Sequence, residues 1–87
     1  MKLNDYNFII VESYYPIDTR GMHGDVHIRP IKNQFPYLET YNVECSKRLS
    51  TDYPVGTKFR IKGKISQREK GAKFVYSHHK WKVEILK

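Results

Sequence analysis

The stretch TKFRIKGKIS, residues 57–66, decides the fold class. Phe59, Ile61, Gly63 and Ile65 share one face of an extended chain, and Lys58, Arg60, Lys62 and Lys64 share the other. Alternation this regular marks a strand with one face buried and one face wet. Gly63 in mid-strand suits a bend in a barrel wall, where a side chain would crowd its neighbours.

The chain reads as strands and turns on both sides of this segment. QREKGA, residues 67–72, supplies a Gly-containing turn, and KFVYSHHKWKVEIL, residues 73–86, returns as a partner strand. In one unbroken strand, Val75, Ser77, His79, Trp81, Val83 and Ile85 would take the core face. Phe74, Tyr76, His78, Lys80, Lys82 and Glu84 would take the wet face. Such a length implies a curved or bulged strand at the end of a long C-terminal hairpin. Upstream, LSTDYPVG at residues 49–56 suits one short helical turn or a plain loop. ETYNVECSKR at residues 39–48 alternates, with Tyr41, Val43 and Cys45 on its apolar side. NQFPY at 33–37 is a turn, and VHIRPI at 26–31 is a strand that Pro30 either confines to an edge or ends. YNFIIVESYY at residues 6–15 carries a continuous apolar run, which suits a strand buried on both sides or one with a bulge. PIDTRGMHGD at 16–25 reads as a loop.

Composition agrees. The 87 residues include 14 Val and Ile and 12 aromatics, against one Ala and four Leu. That balance opposes a helical bundle and is too apolar for a disordered chain. The expectation is one small all-β domain over residues 1–87: a five-stranded barrel, OB-like or SH3-like, with at most one short helical turn. Closure removes the exposed edges that a flat sheet would carry. No apolar run approaches membrane-spanning length, so no membrane partner is expected. A single cysteine makes no internal disulfide, which points to a reducing, cytoplasmic setting.

The charge is uneven. Residues 1–53 carry six Lys and Arg against seven Asp and Glu, whereas residues 54–87 carry ten against two. The whole basic excess therefore sits in a segment that also holds Phe59, Phe74, Tyr76 and Trp81. Alternate strand residues lie about 6.6–6.8 Å apart on one face, close to the phosphate spacing of an extended nucleic-acid strand. Lys58, Arg60, Lys62 and Lys64 would neutralise phosphates, helped by His78, Lys80 and Lys82. Phe74 and Tyr76 would stack bases, and Tyr14 or Tyr15 could join them. The expected function is non-catalytic binding of single-stranded DNA or RNA with low sequence preference. No basic helix suits the major groove of a duplex. Four to six phosphate contacts would give a salt slope of roughly −3 to −4. The alternative is a protein-interaction module or homodimeric accessory subunit that docks an acidic partner. Trp81, Tyr14, Tyr15, Phe35 and Tyr37 would be its exposed rings.

No catalytic residues, cofactor or metal site are assigned. His23, Asp25 and His27 are metal-ligating types, but they fall at a loop-to-strand junction, and i, i+4 ligands converge on a helix. His78 and His79, as strand neighbours, would point to opposite faces. Cys45 reads as a buried, inert thiol. The chain holds no P-loop, GxGxxG, CxxC or HExxH motif.

Overall fold

A computed structural model describes residues 6–16, 26–69 and 71–86. The elements run β1 (Asn7–Tyr14), β2 (His27–Pro30), β3 (Asn42–Glu44), α1 (Arg48–Thr51), β4 (Lys58–Gln67), β5 (Lys73–Tyr76) and β6 (Glu84–Leu86). The sheet order is β2-β1-β4-β5-β3, with β6 added to β4. One sheet curls until it is nearly closed, and its two end strands, β2 and β3, approach each other without a ladder between them. The described residues form a small all-β, nearly closed barrel-like domain with one helical turn.

β4 is the hub because it offers two edges along ten residues. One edge pairs with β1, from Glu12 opposite Lys58 to Asn7 opposite Gly63. The other edge is shared. Residues 58–60 pair with β6, and residues 64–67 pair with β5. Gly63 is where β4 passes from one set of partners to the other. β5 then pairs in parallel with β3, which carries the sheet round toward β2.

The expected unbroken last strand is interrupted, so the described strands number six and the hairpin is short. Residues 77–83 stand opposite only residues 61–63 of β4. The excess is four residues, an even number, so the pleat keeps its phase on both sides of the interruption. Val75 still faces inward opposite Ile65, and Ile85 still stands opposite Phe59. From His78 to Lys80 the alternation is lost. The Trp81 amide donates to the His78 carbonyl at 3.0 Å, and the Lys80 amide donates to His78 Nδ1 at 3.0 Å, forming a turn.

The core gathers Ile9, Val11, Ile28, Tyr37, Leu49, Phe59, Ile61 and Val75, with Tyr41, Val43, Cys45, Tyr53, Ile65 and Val83 packed round it. The apolar run of β1 is buried on one side only. Ile9, Val11 and Ser13 point in, while Phe8 points out and is 59% exposed. β2 ends at Pro30, yet the edge of β1 stays satisfied. Ile10 N–H donates to Gln34 Oε1 and Gln34 Nε2 donates to Ile10 C=O, both at 2.8 Å. One side-chain amide thus imitates a ladder residue and continues the pairing past the proline.

Candidate nucleic-acid interface

β4 displays Lys58, Arg60, Lys62 and Lys64 outward, as its alternation requires. The neighbouring outward row is supplied by β1, with Phe8 directly opposite Lys62 and Ile10 opposite Arg60. Cations and rings therefore interleave. The Arg60 guanidinium lies 4.4 Å from the Phe8 ring centre, and Lys64 Nζ lies 5.1 Å from that of Tyr6. Lys62 Nζ sits between two rings, 5.9 Å from Phe8 and 5.7 Å from Trp81. Trp81 is edge-on to Tyr6 at 4.6 Å and to Tyr76 at 6.2 Å, with the His78 imidazole 5.7 Å away.

The four outward cations of β4 are not equivalent. Lys58 Nζ lies 3.9 Å from Glu12, which also holds Arg29 at 2.9 Å. Arg60 pairs with Glu84 across the β4–β6 ladder at 3.2 Å. Among the described residues, Lys62 and Lys64 have no acidic partner within ion-pair distance. Among the described residues, only these two of the four meet a ligand phosphate with no carboxylate beside them, since Lys58 shares Glu12 with Arg29. Along β4, two cations that each face a carboxylate are thus followed by two lysines with none among the described residues.

The remaining expected residues divide. Tyr76 and His78 join the patch beside Trp81. Lys82 lines an open groove of about 710 Å³ between Phe8 and Trp81. Lys80 is exposed in the turn, outside the ring contacts of the patch. Phe74 faces outward but lies under the Arg68 guanidinium at 4.4 Å, and Arg68 is in turn held by Glu44. Like Phe8 under Arg60, its ring carries one of the protein's own cations, but among the described residues it makes no ring contact with the Trp81 cluster. Tyr14 lies at the far end of β1 against Arg29, 4.1 Å from the guanidinium, and Tyr15 lines a second groove. Neither belongs to this patch.

Three rings of the patch were missed from sequence: Tyr6, Phe8 and Trp81. Extending the alternation of β1 backward from Glu12 would have placed Tyr6 and Phe8 outward. The run Phe8–Val11 hid this, because four apolar residues in a row look buried on both sides. No local pattern places Trp81, which reaches the outer face only through the turn. The same turn overturns the assignment of His79 to the core. His79 is exposed and stacks on His78 at 4.6 Å, 18° from parallel, so the two imidazoles share a side.

The second groove, about 870 Å³, opens where β2 and β3 fail to pair, and includes Tyr15, His27, Cys45, Lys47 and Arg68. Cys45 packs against the core, and burial pushes its thiol up to about 11 from 9.0. The thiolate is the reactive form. Alkylation of folded protein at about pH 8 should therefore run roughly a hundredfold slower than in denaturant. Equal rates in the two conditions would show that the thiol is open to solvent. Among the described residues, no group of three or more His, Cys, Asp or Glu side chains converges as a metal site. Of the histidine–aspartate trio, His23 and Asp25 lie outside the described residues, and His27 is exposed. No helix in the described residues is long and apolar enough to cross a membrane. No family model, curated protein or solved structure matches the chain.

Proposed function

We propose that the protein is a non-catalytic module for single-stranded nucleic acid, DNA or RNA, which it binds on the outer face of β1, β4 and the 77–83 turn. The observation that carries this reading is the pair Lys62 and Lys64, without acidic partners among the described residues and set between the rings of Phe8, Trp81 and Tyr6. Free charge at alternate strand positions follows a phosphate backbone, and rings beside it offer π-faces to bases of any identity. The barrel is read as OB-like. Its support is a partly open sheet in which β3 returns parallel to β5, with the helical turn between β3 and β4.

Because Lys58 and Arg60 each lie within ion-pair distance of a carboxylate, they should contribute less counterion release than Lys62 and Lys64. With Lys62, Lys64, Lys82 and Lys80 engaged, the slope of log K against log salt should be roughly −2 to −3, shallower than an even ladder predicts. Fluorescence anisotropy of labelled single-stranded DNA, RNA and duplex at three salt concentrations measures it. Trp81 is the one tryptophan, and it sits in the patch, so its emission should be quenched in the same titrations. A slope near zero, or no binding at about 50 mM salt, refutes the proposal.

A second reading, docking of a protein partner or self-association, draws on a different surface. Phe35 is 87% exposed and Leu38 41% exposed in one turn region. Sedimentation at micromolar concentration separates the two, since a strict monomer that binds oligonucleotides leaves that turn without a role in self-association.

A further inference from the structure

This inference rests on the nucleic-acid reading and concerns which base the patch prefers. The Arg60–Glu84 pair lines the groove between Phe8 and Trp81, and Glu84 is the only acidic residue lining it among the described residues. An acid is misplaced in a surface that serves phosphate alone. Paired with Arg60, it leaves that part of the groove without net charge and leaves the backbone to Lys62 and Lys64. What a carboxylate can do there is accept hydrogen bonds from a base edge.

The pair offers a definite pattern. Arg60 donates one guanidinium N–H to Glu84 Oε1 at 3.2 Å, and its planar fork carries further donors. Glu84 Oε2 accepts no hydrogen bond within the described residues. Side by side, the two side chains therefore present a donor next to free acceptor capacity. The Watson–Crick edge of guanine is the complement: the O6 acceptor adjoins the N1–H and N2–H donors. Adenine and cytosine each offer one amino group beside an acceptor, and thymine or uracil offers a single N–H between two carbonyls. Only guanine places two adjacent donors against a carboxylate. Phe8 is held under Arg60, so the apolar surface for the base itself comes from Trp81 and Ile85 on the other sides of the groove.

We propose that the Arg60–Glu84 end of this groove is a specificity site that favours guanine within an otherwise sequence-tolerant single strand. The test compares an oligothymidylate carrying one central guanine with the same oligomer carrying hypoxanthine, which lacks only the 2-amino group, and with the unsubstituted oligomer. Wild-type protein should bind the guanine oligomer about fivefold more tightly than either, the lower end of what a base-edge contact supplies in an exposed groove. Glu84→Gln should erase the preference while raising the affinity for oligothymidylate, because it removes a negative charge from the patch. The comparison of guanine with hypoxanthine uses the unaltered protein, so it stands even if the variant folds poorly. Equal binding of all three oligomers overturns the guanine site and leaves the general reading intact. Retention of the preference by a folded Glu84→Gln protein overturns the role of Glu84. No binding of any oligomer overturns both proposals.

Discussion

Replacing Lys62 and Lys64 together by glutamate should lower affinity for a single-stranded oligonucleotide by roughly 30- to 100-fold at low salt. The salt slope should flatten by about 1.4, the share of two phosphate contacts. The size of the effect follows from what surrounds these lysines. Neither has an acidic partner among the described residues, so their full charge is available to a ligand, and each lies over a ring that would carry a stacked base. Lys58, two residues from Arg60 on the same face, is the internal control. Glu12 already sits 3.9 Å from it, so Lys58→Gln should change affinity by about twofold or less. The double variant should remain folded, because changes at such surface positions usually stay within about 0.5 kcal/mol. If Lys58→Gln weakened binding as much as the double reversal, the distinction between paired and free cations would be wrong. Net charge alone would then explain the binding.

Gly63→Val should destabilise the fold by about 3 kcal/mol or more, read as a lower midpoint in urea unfolding. A Cβ at position 63 would meet Val75 Cγ1 at 2.9 Å and the Tyr76 carbonyl oxygen at 3.1 Å. Neither neighbour can yield cheaply. Val75 is fully buried with a stiff, β-branched side chain, and Tyr76 is tied into the ladder opposite Lys64. The close approach occurs where β4 leaves β6 and takes up β5, so the strain would fall on the joint that curls the sheet. A variant within about 0.5 kcal/mol of the parent would mean that the barrel wall accommodates a side chain at its bend. The two variants also separate function from fold. The lysine pair should alter binding without altering stability, and Gly63 the reverse.

Most of the framework was legible because strand alternation is a local property. Lys58 through Ile65 carry it without exception, so the faces of β4 could be assigned before any partner was known. Val75 on the next strand, and Ser77 just past its end, fall inward as the same rule requires. Two segments broke the rule for different reasons. In β1, Phe8 and Ile10 are apolar on the wet side, where Arg60 packs on the Phe8 ring and stands opposite Ile10. Their exposure depends on a strand 50 residues away, and nothing in the run itself reports it. In the last segment, four extra residues form a turn. Since the number is even, the pattern on either side of the turn matches an unbroken strand, and alternation has no means of detecting the excess.

The sequence by itself determined that the protein is all-β, that β4 has one basic face, and that the positive charge is concentrated in the last third of the chain. These follow from residue type and a spacing of two, which need no knowledge of neighbours. Tertiary structure alone decided which cations are free and which rings stand beside them. Glu12 reaches Lys58 and Glu84 reaches Arg60 only through the registers of β1 and β6 against β4, and Trp81 meets Tyr6 only because a turn lifts it onto the outer face. Coulomb and stacking interactions act over a few ångströms of space, whatever the distance along the chain, so the candidate site exists only once the strands are paired.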